Sequence, residues 1–172
     1  MTLQAVLRQQ LAGAHDLLEQ TIADCPQDAL DKNLPGATIT SIGSIYAHLV
    51  FSEDGIVYGM LQGKPPIYRA QNWASRTNVE MPEQPGLTPE WARTVRMKLP
   101  PFREYAKAVS AATDAYVGGL SGADLDRKVQ TGFVGEQTVA FVLTNILAWH
   151  AAQHTGEIAA LKGVQGLKGL PF

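Results

Sequence analysis

Four stretches of this chain place apolar residues three and four positions apart, and that repeat limits the possible folds more than any other feature. Leu3, Leu7, Leu11, Ala14, Leu18 and Ile22 form the first stripe, over residues 2–24. Ile42, Ile45, Leu49, Ile56, Met60 and Leu61 form the second, ending near Gln62. The third, over residues 90–119, runs from Trp91 through Val95, Leu99, Phe102, Tyr105, Ala106, Val109, Ala112 and Ala115 to Tyr116. The fourth runs from about Thr138 to Lys162, with Val142, Ile146, Trp149, Ile158 and Leu161 as its anchors. Each stripe covers one side of a helix and must be buried against another element. Four such helices satisfy one another, which predicts an all-α four-helix bundle.

Punctuation between the stripes agrees. Thr2, Thr40 or Ser41, and Thr88 ahead of Pro89-Glu90 are helix-start residues, since their hydroxyls accept from an unpaired N–H of the first turn. Pro26, Gly118-Gly119 and Gly163 are stop signals, with Lys162 favourably placed in the last turn. Pro100-Pro101 predicts a kink or a split in the third helix. Gly43, Gly55 and Gly59 lower the helicity of the second, a cost that close packing could offset. Residues 25–39 read as a connection, Ser121–Leu125 as a short helical turn, and Lys128–Gln137 as a short hairpin around Gly132 or Gly135. Residues 63–89, broken by Gly63, Pro65, Pro66, Pro82, Pro85, Gly86 and Pro89, form the longest irregular stretch. A loop of that length is often functional, and it can serve as the crossover between helices two and three. Tyr68, Trp73, Met81 and Leu87 could pin it to the helices, and Leu167, Leu170 and Phe172 could dock the glycine-rich tail.

With 172 residues the chain reads as one domain, 1–172, able to bury its own core. A net charge of −2, with no basic run interleaved with aromatics, gives no footprint for nucleic acid or an anionic membrane. No apolar run approaches the roughly 18 residues of a membrane span, and the first residues do not read as a signal peptide. The expectation is a soluble, cytoplasmic protein. A single cysteine, Cys25, excludes an intrachain disulfide and reads as a small buried residue beside Pro26.

Chemistry concentrates in the fourth helix. His150 and His154 lie four residues apart, so their imidazoles are offset by about 40° on one side of a helix. That is the spacing by which a helix presents two ligands to one metal ion. Two imidazoles hold a divalent ion weakly, and the pair alone is not specific. In a bundle, His48 of helix two can point at the same place, giving three imidazoles and open coordination positions. Glu157 follows His154 by three residues and could orient a ligand imidazole or act as a catalytic base; a charged residue near the helix end is the plain alternative. Tyr46, Trp149 and Gln153 neighbour the histidines and could line a pocket. His15 reads as a buried neutral histidine, or as a pocket residue or additional ligand, and Glu53 and Asp54 as members of a solvated face.

The second helix, Ser41-Ile42-Gly43-Ser44-Ile45-Tyr46-Ala47-His48-Leu49, the long loop after it, and the terminal His150-x-x-x-His154-x-Gly156-Glu157-Ile158 together resemble the DinB/YfiT-like metalloenzyme superfamily. The resemblance covers almost the whole chain in element order, although its specific part is small. It implies a four-helix bundle with a long crossover between helices two and three. It also implies a divalent metal, zinc or nickel, on His48, His150 and His154, completed by water or substrate, and often a homodimer. Members of known activity include bacillithiol S-transferases and a mycothiol-dependent maleylpyruvate isomerase. By that resemblance the expected function is a thiol S-transferase or isomerase-like enzyme, acting on a small-molecule substrate with a low-molecular-weight thiol. A non-catalytic metal-binding stress-response module, and a bundle whose histidines are metal-free core groups, stand as alternatives.

Overall fold

All four stripes start where a hydroxyl caps them, the third at Thr88, which accepts from the N–H of Trp91. The structure, a computed structural model, describes residues 2–83 and 86–172; Met1 and the loop breaker Pro85 lie outside the described residues. Helix α1 (Leu3–Ile22) is capped by Thr2, which accepts from the N–H of Ala5. Helix α2 (Ile42–Asp54) is capped by Ser41 and runs on without a break into a π-helical segment, Gly55–Met60. Helix α3 spans Leu99–Gly118. Helix α4 (Trp149–Val164) continues a short turn, Val139–Phe141, capped by Thr138, and a second π-helical segment, Val142–Ala148. Helix α1 packs on α3 and α4, and α2 packs on α4 and α3. The chain is thus mostly helical, with one hairpin where it was expected. Strands β1 (Lys128–Gln130) and β2 (Glu136–Thr138) pair antiparallel, with Val129 opposite Gln137. Both glycines of the turn, Gly132 and Gly135, take positive φ, which a side chain would resist. Among the described residues no helix is long and apolar enough to cross a membrane.

Several details depart from the sequence reading. The break in the third helical stretch falls at Val95–Lys98, between a short helix Pro89–Thr94 and α3, and not at the prolines. Pro100 and Pro101 sit in the first turn of α3, where the missing N–H would have had no partner anyway. Helix α4 passes through Gly163 and stops at Gly166, which takes a positive φ. There the N–H groups of Gly166 and Leu167 donate back to the carbonyls of Gly163 and Lys162, the pairing that closes a helix on a left-handed glycine. Trp149 is 60% exposed and anchors nothing, because the π segment before it winds less per residue and moves the buried stripe to Leu147, Ala151, Thr155 and Ile158. Phe172 is 87% exposed, so Leu167 and not Phe172 packs the tail on the core. Of the three glycines in the second stripe only Gly43 is closely packed, against Leu30.

The 63–89 stretch is less irregular than its breakers suggest. It holds two helical turns, Ile67–Ala70 and Ala74–Thr77, with Tyr68 and Trp73 buried as pins. The reason is Asp54. This residue is fully buried and was misread as part of a solvated face. Its carboxylate accepts from the N–H groups of Ile67 (2.8 Å) and Tyr68 (2.9 Å) and from the hydroxyl of Tyr105 (2.8 Å). One side chain of α2 therefore caps the loop's first turn and ties it to α3. Burial pushes the Asp54 carboxyl up from its ordinary range even against these three donors. Replacing Asp54 by Ala strands all three donors, and we expect a loss of about 2–4 kcal/mol of unfolding free energy. A urea titration showing a lower midpoint at an unchanged slope checks it; an unchanged midpoint would remove Asp54 as the anchor of this loop.

Candidate metal centre

Helices α2 and α4 pack directly, and each presents histidine across the contact. His48 lies in the middle of α2, and His150 and His154 lie in the first two turns of α4. One ligand nitrogen from each of the three falls within 4.8 Å of the others. The Nε2 atoms of His48 and His150 are 3.1 Å apart. The rings stand nearly perpendicular, at 87° and 86° for His48 with His150 and His154, and at 78° within the α4 pair. The nitrogen distances, and not the perpendicular rings, which core aromatics share, bring the three to one point.

Two ligands at about 2.1 Å from one ion, at tetrahedral or octahedral angles, are about 3.0–3.4 Å apart. The His48–His150 separation already falls in that range. The other two separations are no more than 4.8 Å. Protonation state fits as well. Burial first, then the neighbouring imidazoles, lower the pKa of His48 to about 3, and burial and His154 lower that of His150 to about 4. Both rings are neutral near pH 7 and offer lone pairs. The third is oriented by Glu157, whose Oε2 is 2.5 Å from Nδ1 of His154. A carboxylate there accepts the Nδ1 proton and leaves Nε2 as the free ligand atom. The donor set of three imidazoles, one backed by a carboxylate, fits a divalent ion of the zinc or nickel kind. All three histidines remain partly exposed.

The other candidate residues divide. His15 is not in the cluster; its Nε2 is 2.8 Å from Oε2 of Glu53, and Oε1 of Glu53 accepts from Thr113 (2.5 Å). Burial works against the charged form of His15, but Glu53, and then Asp16 and Asp114, outweigh it and raise its pKa. Glu53, like Asp54, was wrongly placed on a solvated face. The signal was present: residues 49, 50, 53, 54 and 57 share one side of a helix, so two acids sit on the buried stripe. Cys25 is buried as expected, and burial pushes its thiol up to about 11. Trp149 and Gln153 point away into solvent. Tyr46 is fully buried and does line a cavity, of about 190 Å³, that reaches His150.

The sequence of the DinB superfamily matches residues 10–158, and this chain belongs to that superfamily. A crystal structure described as the conserved protein of locus from Enterococcus faecalis shares the fold. Its TM-score is 0.82 at 20% identity, over 96% of this chain and 99% of that one. Comparison with curated proteins returns no match.

His15, His48 and His150 should titrate apart in the metal-free protein. We expect NMR to place His48 near pH 3 and His150 near pH 4, with His15 above its ordinary 6.5. The consequences for stability have opposite signs. The unfolded chain binds more protons than the folded one at His48 and His150 below about pH 6.5, so acidification through about pH 6.5 to 4 lowers stability. The contribution of His15 is complete below about pH 6.5 and is lost as pH rises through its raised value. Thermal midpoints across that range should fall on acidification, less steeply in His48→Ala than in the parent; equal slopes would contradict the assignment.

Proposed function

We propose that this chain is a metal-dependent enzyme that uses a low-molecular-weight thiol, with a thiol S-transferase or isomerase-like activity. The observation that supports it most is the convergence of three partly exposed imidazoles, those of His48, His150 and His154. A structural ion is normally closed by four protein ligands, whereas an open shell leaves room for a reactant. In this reading His48, His150 and His154 hold the ion, zinc or nickel. Glu157 acts as the positioning residue that fixes the tautomer and direction of His154. A bound divalent ion would supply Lewis acidity and would lower the pKa of a thiol sharing its shell. The chain's own part is to keep His48 and His150 unprotonated by burial and to aim all three rings by the α2–α4 contact. We propose as well that the four long helices make a four-helix bundle with residues 61–98 as its crossover.

Elemental analysis of protein purified without a histidine tag should find a transition metal. His48→Ala should lower zinc affinity by at least about 100-fold, and Glu157→Gln by about 10- to 100-fold, in competition with a chelating dye. A panel of thiols and electrophiles should then show turnover that chelation abolishes. Absence of metal together with an unchanged affinity in His48→Ala would overturn the reading. Metal without turnover would leave the non-catalytic metal-binding module in its place.

A further inference from the structure

His15 has two ring nitrogens, and the fold uses one of them. Nε2 is 2.8 Å from Oε2 of Glu53, and Oε1 of Glu53 accepts from the hydroxyl of Thr113. With both carboxylate oxygens accepting, Nε2 is the donor, and the proton that can come and go is the one on Nδ1. Nδ1 has no hydrogen-bond partner among the described residues and is not one of the sealed atoms that lack one, so it is open to solvent. A tie between helices accounts for Nε2, since His15, Glu53 and Thr113 link α1, α2 and α3. It does not account for Nδ1, because a glutamine would make the same bond to Glu53.

His15 stands where two cavities meet. The first, of about 190 Å³, is walled mainly by Leu18, Leu49, Val50, Val109 and Leu147 and reaches His150. The second, of about 230 Å³, lies between α1 and α3 and shares His15, Asp16 and Ser110 with the first. Each is far larger than the roughly 30 Å³ share of one water and smaller than the roughly 300–1,000 Å³ of pockets for drug-sized ligands. They are of a size for a small organic molecule. The charged and titratable groups around His15 are Arg8, Asp16 and Glu19 from α1, Glu53 from α2, Lys107 and Asp114 from α3, and His150 from α4. Arg8 is paired with Asp114, Glu19 with Arg103, and Lys107 with Glu104, while Asp16 is exposed. Each cation here already faces a carboxylate, so an anion entering would lose its water without gaining a counter-charge. An uncharged molecule meets no such cost. Burial opposes the charged form of His15, but Glu53, Asp16 and Asp114 outweigh it, so this ring takes up a proton more readily than a free imidazole.

We propose that His15, held by Glu53, is a proton-exchange site, and that the cavity beside it takes a small uncharged molecule with an apolar body and a hydroxyl or thiol head. The O–H or S–H bond of the head breaks as an N–H bond forms at Nδ1. An oxyanion or thiolate is left beside an imidazolium that stays paired with Glu53. The site goes beyond the metal reading and does not depend on it, and the ring contacts within the three-histidine cluster do not include His15.

4-Nitrophenol, whose colour reports its ionisation, and 4-nitrotoluene, in which a methyl replaces the hydroxyl, are suitable probes. Each is titrated near neutral pH into the full chain with zinc, without metal, and carrying His48→Ala. 4-Nitrophenol should bind saturably with one affinity in all three, and more of it should be phenolate when bound than when free at the same pH. His15→Gln keeps a donor to Glu53 and removes Nδ1. It should weaken 4-nitrophenol by about 5- to 10-fold, abolish the excess of phenolate, and leave 4-nitrotoluene unchanged. Glu53→Gln keeps a partner for Nε2 without the charge, and should lower the phenolate share while 4-nitrotoluene again binds unchanged. Equal affinity in His15→Gln, a phenolate share that follows the free probe, or no saturable binding of either probe would overturn the proposal. So would an affinity for 4-nitrophenol that zinc raises and His48→Ala cancels, which would place the head group at the metal centre. Failure of the titration without metal leaves the metal reading standing, and absence of a metal leaves this site standing.

Discussion

The contact between α2 and α4 sets two imidazole nitrogens 3.1 Å apart, contributed by residues 102 positions apart in the chain. Everything functional here depends on that approach. Two neutral nitrogens at such a distance must share one proton or one cation between them. Burial keeps further protons off, since charging either ring would place a cation beside its neighbour in a site already stripped of water. The two helices that carry the ligands are also the two that run into π-helical segments, Gly55–Met60 after His48 and Val142–Ala148 before His150. Each such segment shifts which side of its helix faces inward. Before α4 that shift turns Trp149 outward and sets Leu147, Ala151 and Thr155 on the buried side.

Around this contact the apolar interior is divided. One cluster holds Tyr46, Phe51, Tyr68, Phe102 and Tyr105 under the 63–89 stretch. The other holds Leu7, Leu11, Val57, Leu143 and Leu147 near the hairpin. The cavity beside His150 is walled by members of both, Leu147 from the second and Leu49, Val50 and Val109 from the first. It is a gap between two well-filled regions. The adjacent acids Glu53 and Asp54 divide the work along α2. Asp54 holds the loop and α3, while Glu53 fixes His15 at the edge of the gap.

Much of this was legible from residue spacing. The four stripes, the caps at Thr2, Ser41 and Thr88, the hairpin and the convergence of His48 with His150 and His154 all follow from periodicities and local chemistry that a neighbour cannot easily override. What stayed hidden has a common cause. A pattern of 3.6 residues per turn assumes an unbroken α-helix, so a π segment passes unnoticed and Trp149 is assigned to the wrong side. A rule that acids face solvent assumes they lack partners, so Glu53 and Asp54 are misplaced even though they sit on the buried stripe. Gly163 reads as the helix end because it is the first glycine after the stripe, and only the positive φ of Gly166 marks the true one.

A few side chains are placed against what folding alone would favour. Three buried side-chain atoms lack a partner among the described residues. Asp31 Oδ1 and Thr40 Oγ1 belong to half-buried residues before α2, but the Tyr46 hydroxyl belongs to a side chain with no exposure at all. A phenylalanine there would keep the packing against Phe102 and remove the unpaired group. Likewise, apolar residues at 48 and 150 would fill the α2–α4 contact without forcing neutral imidazoles together. An ion between His48 and His150 would relieve that crowding.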